Sequence, residues 1–362
     1  MAPADKNLRV LHVISGDLWA GAEVQAYTLL SQIHSRCHLK VILMNAGRLH
    51  EECRALGIDV DVFNENQFNG VQLVWRLYQT IRAFRPDIIH THRQKENILG
   101  TLAGRLAGYK RSVRTSHGAP EFESKGLRKL RVKLDQWIGR HWQSTVIAVS
   151  DDLAKQLESI YPRRHITVIH NGIDESRLAE QAGPSPFEPG FIHVGIIGRL
   201  EPVKRVDLFL EAIPLILNKA KETDFWFHVI GDGKRRAELE AKAQALGISE
   251  RVTFHGHRSD IPSCLVGLDV LVMCSDHEGT PMVALESLAL GTAVVAHNVG
   301  GLTEMLASQP NLLVDDHSAE GYANATAAVV PRLDRLCVAL EKRYTARQNA
   351  QATLALYQRL LD

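Results

Sequence analysis

A chain of 362 residues, 45% hydrophobic and 23% charged, has room for two domains with separate cores and the composition of an ordinary globular protein. Its 42 Lys and Arg nearly cancel 41 Asp and Glu, so it is no polybasic nucleic-acid binder, and any anionic partner must be met by local charge. Five cysteines (Cys37, Cys53, Cys264, Cys274, Cys337) without C-x-x-C spacing read as reduced thiols. Residues 1–7 carry no signal-peptide pattern and no run of about 20 apolar residues follows, so the expected location is cytoplasmic.

Residues 8–14 read as a buried strand. A loop containing Gly16 and Gly21 leads into an apolar-periodic helix, the usual opening of a nucleotide domain. The loop lacks G-x-G-x-x-G, so a dinucleotide fingerprint is absent, and both a tight turn and a ligand loop stay open. Strand-like runs follow at 39–45, 58–63, 87–91, 112–116 and 145–150, with helical patterns between them, the alternation of a parallel α/β sheet. Asp59 and Asp61 form a D-x-D whose carboxylates share one face. They lie inside a strand rather than in a loop at its end, so no metal is expected there. His117 and Gly118 follow a strand at its carboxyl end, where open sheets bind ligands. Residues 125–138 are the most basic segment. Leu127, Leu130, Leu134 and Ile138 recur there at helical spacing among Lys125, Arg128, Lys129, Arg131 and Lys133. That pattern fits a surface helix packing its leucines inward, or one lying on an anionic membrane surface.

Pro184, Pro186 and Pro189 between Gly183 and Gly190 mark a domain boundary. The alternation then restarts. A strand at 192–197 ends in Gly198 and Arg199, and Lys204 precedes a helix that Pro214 should kink or break. Further strands at 225–230, 251–255, 269–273 and 293–296 end near Gly231, near His257 and Arg258, at the Glu278 loop, and before Gly300 and Gly301. The double glycine implies close backbone approach or positive φ, as a plain turn or in a ligand role. The tail, 347–361, reads as an apolar helix.

Between Glu278 and Glu286 the pattern starts a helix, with Thr280 as N-cap, Pro281 at the first position, and Met282, Val283 and Leu285 turned inward. Glu286 lies roughly 7.5 Å along its axis. The free N–H groups of a helix start hold phosphate, and the two glutamates accept hydrogen bonds from hydroxyls. Arg199 and Lys204 supply cations for a diphosphate. A sugar nucleotide would use all of these groups.

In this order, Gly198-Arg199-Leu200 with Lys204, Gly231-Asp232-Gly233, Phe254-His255-Gly256 and the Glu278/Glu286 pair resemble the retaining GT-B glycosyltransferases of family 4 (glycosyltransferase group 1). Gly21-Ala22-Glu23, His117-Gly118, Val149-Ser150 and Asn171-Gly172-Ile173-Asp174 are similar to that family's N-terminal landmarks. The resemblance implies an α/β fold of two Rossmann-like domains with parallel sheets facing a deep cleft. Residues 1–183 would take the acceptor, 184–345 the nucleotide sugar, and 346–362 would form a helix crossing back to the N-domain. By position, Arg199 and Lys204 would neutralise the diphosphate, Glu286 would bind the ribose and Glu278 would face the sugar. The backbone around His257 and Arg258 would meet the base. Gly16 and Gly21 would border the phosphates, His117 the transferred sugar, with Gly198, Gly231, Gly279, Thr280, Met282 and Val283 completing the donor site. The family's Gly-Gly before the Glu23 position is Ala20-Gly21 here.

The implied activity is a retaining transfer of a hexose, needing neither metal nor cofactor. The donor is a nucleoside diphosphate sugar, UDP ahead of GDP, and the acceptor a saccharide or lipid-linked molecule of cell-envelope polysaccharide or lipopolysaccharide synthesis. The implied partners include the inner-membrane surface, through residues 125–138, but no nucleic acid. A sugar-nucleotide epimerase or hydrolase on the same fold, and a non-catalytic sugar-nucleotide-binding protein, are the alternatives.

Overall fold

The computed structural model describes residues 8–17, 19–118, 126–336 and 339–362, so the readings on 1–7, Lys125 and Cys337 lie outside the described residues. The chain forms two compact units, one of Met1–Gly172 with Lys342–Asp362, the other of Ile173–Glu341.

The first unit carries seven parallel strands: β1 (Arg9–Ile14), β2 (His38–Leu43), β3 (Asp59–Val62), β4 (Ile88–His92), β5 (Ser112–Ser116), β6 (Thr145–Ala148) and β7 (Ile166–Val168). Their order is β3-β2-β1-β4-β5-β6-β7, with Val10 of β1 registered between Leu39 and Ile88. Helices cover both faces, which is why β1 is almost uniformly apolar. Val10 and Ile14 face Leu30 and Ile33 of the Gly21–Ile33 helix, while Leu11 and Val13 face Leu73, Leu77 and Ile81 of the Gly70–Phe84 helix. The Ala346–Arg359 helix completes the first of these cores with Ala350, Leu356 and Tyr357. Asn349 Nδ2 donates to the His170 carbonyl at 2.6 Å. A Cβ on Gly172 would stand 2.6 Å from the Thr345 carbonyl oxygen, so only glycine lets the tail pass this close.

The second unit carries six parallel strands: β8 (Ile192–Ile197), β9 (Phe225–Ile230), β10 (Val252–Gly256), β11 (Val270–Met273), β12 (Ala293–His297) and β13 (Leu313–Val314), in the order β10-β9-β8-β11-β12-β13. Two expectations change here. The unit begins at Ile173, before the proline-rich stretch, because that stretch is packed rather than a free linker. Gly183 N–H donates to Ser263 Oγ at 2.9 Å, and the Phe187 ring stacks on His228 at 3.9 Å. The Val206–Lys219 helix also runs through Pro214 without a break. Proline there removes one hydrogen bond to the preceding turn, and the buried face of Phe209, Ile213 and Ile216 holds the helix regardless. Among the described residues, no helix is long and apolar enough to cross a membrane.

Candidate active site

The strand order of the second unit reverses between β8 and β11, and in such sheets ligands bind at the carboxyl ends of the strands flanking the reversal. The loops leaving these two strands carry the residues singled out in the sequence. Pro202–Lys204 forms a single 3-10 turn after β8, closed by Arg205 at φ 48. From it Lys204 Nζ reaches Oε1 of Glu278, on the loop after β11, at 2.5 Å. One residue along, Arg205 Nη1 reaches Asp276 Oδ1 at 3.2 Å, so the two loops are bound by adjacent ion pairs. Arg199 is exposed and makes no ion pair with a described residue, which leaves its guanidinium available to an anion.

The Glu278 loop rests on bare backbone. A Cβ on Gly301 would lie 1.8 Å from the Gly279 carbonyl oxygen, and one on Gly300 would lie 1.9 Å from that of Glu278. The double glycine thus serves close approach, behind the loop that holds Glu278. Gly231, at φ +133, does the same for β8, since its Cβ would stand 1.9 Å from the Gly198 carbonyl oxygen. The helix after the loop runs Met282–Ala289, with Pro281 (φ -70, ψ 125) as N-cap. Thr280 is therefore not the cap but a buried residue one position earlier. Proline's fixed φ suits either position, and here its carbonyl accepts the bond from Leu285 N–H at 3.3 Å. The N–H groups of Met282, Val283 and Ala284 precede that first helical bond and can hold an anion. Glu286 is half-buried, and burial raises its carboxyl to about 7. His257 is exposed, whereas Arg258 is forked onto Asp260 at 2.9 and 2.5 Å.

The first unit carries Gly16, Gly21 and His117. Its strand order reverses between β1 and β4, and the loops after those strands are tied by Arg93. Arg93 takes φ 53 at the end of β4, and its Nη2 bonds the fully buried Glu23 at 2.7 Å. Burial raises the Glu23 carboxyl to about 6 although Arg93 pulls the other way. Gly16, at φ +78, passes against the Asn45 carbonyl, and Gly21 is the first residue of its helix. His117 follows β5 and contacts His92 at 3.2 Å. Sequence reasoning passed over Arg93, His12, His90, His92 and Tyr357. The available signal was the polar run His90-Thr91-His92-Arg93 at the carboxyl end of an otherwise apolar strand. Asp59 and Asp61 both close on Lys40, at 2.7 and 2.9 Å.

The basic segment forms the Leu127–His141 helix, and its leucines do not all turn inward. Leu130, Leu134 and Trp137 are 65%, 45% and 47% exposed. The inward stripe is Val132, Asp135, Ile138 and Gly139 instead. Asp135 draws it in by binding Arg114 at 2.6 Å and Asn97 at 2.7 Å, and Gly139 leaves room for the Tyr161 ring.

Residues 192–331 match the family model "Glycosyl transferases group 1", and residues 19–177 match "Glycosyltransferase Family 4". The chain belongs to this glycosyltransferase family. This glycosyltransferase is 25% identical over 350 residues to the Escherichia coli UDP-Gal:alpha-D-GlcNAc-diphosphoundecaprenol alpha-1,3-galactosyltransferase, covering 91% of this chain and 89% of that one. It is 28% identical over 310 residues to the D-inositol 3-phosphate glycosyltransferase of Nocardia farcinica, across 80% and 62% of the two chains. Among solved structures, it is similar to Anabaena HepE in complex with UDP and glucose, with TM-score 0.76, 22% identity, and 98% and 96% of the chains covered. WaaG, a glycosyltransferase of lipopolysaccharide biosynthesis, follows at TM-score 0.68, 15% identity and 98% of each chain. The shared fold is GT-B.

Proposed function

We propose that this glycosyltransferase moves a hexose from a nucleoside diphosphate sugar, UDP ahead of GDP, to a saccharide or lipid-linked acceptor of cell-envelope polysaccharide or lipopolysaccharide synthesis. The transfer retains anomeric configuration and needs no metal ion. The observation that carries the reading is the convergence of Lys204, Glu278 and the start of the Met282–Ala289 helix at the strand-order reversal of the second unit. Support for the donor and acceptor classes comes from the E. coli relative, whose name gives UDP-Gal as donor and a diphosphoundecaprenol-linked sugar as acceptor.

Transfer from a nucleoside diphosphate breaks the bond between the anomeric carbon and the diphosphate oxygen, and the electron pair leaves with the diphosphate. Lys204, Arg199 and the helix N–H groups stabilise that charge, the work a divalent ion would otherwise do. A covalent glycosyl-enzyme would need a free carboxylate nucleophile, and Glu278 is already engaged by Lys204. The acceptor hydroxyl therefore attacks on the face the diphosphate leaves, and its proton passes to a diphosphate oxygen. Glu286 binds the ribose diol and Glu278 the sugar hydroxyls; in the first unit, His117 meets a substrate hydroxyl.

The enzyme works in the cytoplasm at the inner-membrane surface. The Leu127–His141 helix offers that surface Leu130, Leu134 and Trp137 among the exposed cations Lys129, Arg131, Lys133 and Arg140. The deciding experiment incubates the protein and EDTA with UDP-, GDP- and ADP-hexoses and polyprenyl-diphosphate saccharides, and reads the product anomer by NMR. A product of unchanged anomeric configuration supports the reading. An inverted product, complete dependence on Mn²⁺, or donor hydrolysis or epimerisation alone overturns it.

A further inference from the structure

A line of buried side chains crosses the first unit behind His117. His117 Nε2 faces His92 Nδ1 at 3.2 Å, and His92 Nε2 faces His12 Nδ1 at 3.4 Å. His12 Nε2 faces the hydroxyl of Tyr357, on the C-terminal helix, at 3.5 Å. The same hydroxyl lies 2.5 Å from His90 Nδ1, and His90 Nε2 lies 2.7 Å from Thr115 Oγ1. Six groups are thus joined by five hydrogen bonds. Only the outer end is open: His117 Nδ1 is buried without a partner among the described residues. The spacing of His12, His90 and His92 would also suit a metal ion, but each of their ring nitrogens already faces a partner.

Proton bookkeeping along this line gives two arrangements, both uncharged. If Thr115 donates to His90, every later bond points outward and His117 Nδ1 carries a proton. If Thr115 accepts, every bond reverses and His117 Nδ1 offers a lone pair. A second row of histidines, in the other unit, lacks this freedom. His193 Nε2 faces the Glu188 carbonyl, which can only accept, so His193, His228 and His255 each carry their proton on Nε2. The difference lies in the terminal group, a hydroxyl in one row and a carbonyl in the other. Burial keeps the first line uncharged by holding His12 and His117 near 3 and His90 and His92 well below the ordinary range.

We propose that His12, His92 and Tyr357 are positioning residues that set the plane of the His117 ring and choose which of its nitrogens carries the proton. His117 can then meet a substrate hydroxyl as donor or acceptor without acquiring a charge. The functional half of this inference rests on the donor reading above; the line itself does not.

The test is Tyr357→Phe, which removes one hydroxyl three links from His117 and keeps the ring that fills the core. Long-range ¹⁵N NMR of histidine-labelled protein reads the His117 tautomer without any substrate. The expected result is a changed His117 tautomer ratio with His228 unmoved. In transfer assays kcat falls about tenfold while KM for the donor stays within about twofold, as for loss of an outer partner that orients a working group. His92→Leu should act more strongly, and His92→Gln, which keeps a donor and an acceptor, should recover part of the rate. An unchanged His117 tautomer ratio in both Tyr357→Phe and His92→Leu overturns the line. A changed ratio with unaltered kcat overturns the positioning role. A wild-type protein that transfers no sugar sinks the donor reading and with it the positioning role, while the tautomer measurement still decides the line.

Discussion

Lys204 and Glu278 come from loops 74 residues apart in sequence and meet at 2.5 Å, with 23% and 10% of their side chains exposed. An ammonium held this way is pre-placed for an anion, and the carboxylate compensates its charge until the anion arrives. Lys204→Ala should lower turnover by about 10²-fold or more, comparable to losing one oxyanion donor. Glu278→Gln should separate two effects, tightening UDP because Lys204 is no longer neutralised and slowing sugar transfer because a hydroxyl acceptor is weakened. Calorimetry with UDP and a UDP-release assay read them separately. Wild-type rates in Lys204→Ala, or weaker UDP binding in Glu278→Gln, would remove the donor from these loops.

Gly301 should be intolerant of a single methyl group. Its Cβ would fall 1.8 Å from a backbone carbonyl, which cannot rotate away as a side chain would. Gly301→Ala must push the Gly279 segment outward and carry Glu278 with it. A displacement of this kind is expected to raise KM for the donor by about tenfold or more, given how steeply rates depend on 1 Å placement. Unchanged donor kinetics in a folded Gly301→Ala protein would show that the loop does not position the donor.

With Glu286 as the proposed ribose ligand, nucleotide binding should depend on pH. Burial raises its carboxyl from 4.5 to about 7, so the folded protein holds a proton there that the unfolded chain would release. That contribution to stability is full below 4.5 and lost as pH rises through 7. Ribose hydroxyls donate to the carboxylate form, so UDP should bind tighter at pH 8 than at pH 6. In Glu286→Gln the affinity should be weaker and flat across that range, and the protein should melt higher than wild type at pH 8. A titration of UDP affinity that stays flat in the wild type counts against Glu286 as the ribose ligand.

The parallel sheets and the loops that carry Lys204 and Glu278 were legible in the sequence because both rest on local signals. Strands β1 to β6 and β8 to β12 lie where apolar runs alternate with helical patterns, and Gly198, Lys204, Glu278 and Glu286 stand beside them. The two-residue strand β13 is too short for any period to register. The basic helix misled because leucine spacing records an apolar face without saying which face is buried. Asp135 and its bond to Arg114 decide that, and Arg114 lies on another element. The histidine line was invisible for a stronger reason. Its links join β1, β4, β5 and the C-terminal helix, and the Tyr357–His12 contact spans 345 residues.

The buried histidines should make the protein acid-labile before its carboxylates do. His12 in the first unit and His228 in the second are each lowered from 6.5 to about 3, chiefly by burial. The unfolded chain takes up these protons first, so this stability is full above 6.5 and lost as pH falls from there toward 3. Each such group adds about 1.4 kcal/mol per pH unit to the slope within that window. The raised carboxyl of Glu286 works the other way between pH 7 and 4.5, so the reading is a difference: from pH 7.5 to 5 the melting temperature of His228→Gln should fall less, or rise more, than that of the wild type. The same pH dependence in His228→Gln and wild type would contradict neutral burial of that ring.

The exposed face of the Leu127–His141 helix predicts binding to anionic bilayers. Leu130, Leu134 and Trp137 are spaced along one side of the helix and turned away from the core, so replacing all three with Ser leaves the interior untouched. Lys129, Arg131, Lys133 and Arg140 flank them, and the helix's acidic residue, Asp135, is buried against Arg114. Each cation near an anionic surface contributes about 1 kcal/mol, and apolar insertion adds to it. Co-sedimentation with phosphatidylglycerol vesicles should therefore be strong at low salt, weaker as salt screens the cations, and absent with neutral phosphatidylcholine. The triple Ser variant should lose most of the binding that survives high salt, whereas charge neutralisation should remove the salt-sensitive part. If the wild type fails to sediment with anionic vesicles, the helix is a solvent-facing surface and the proposed membrane contact falls.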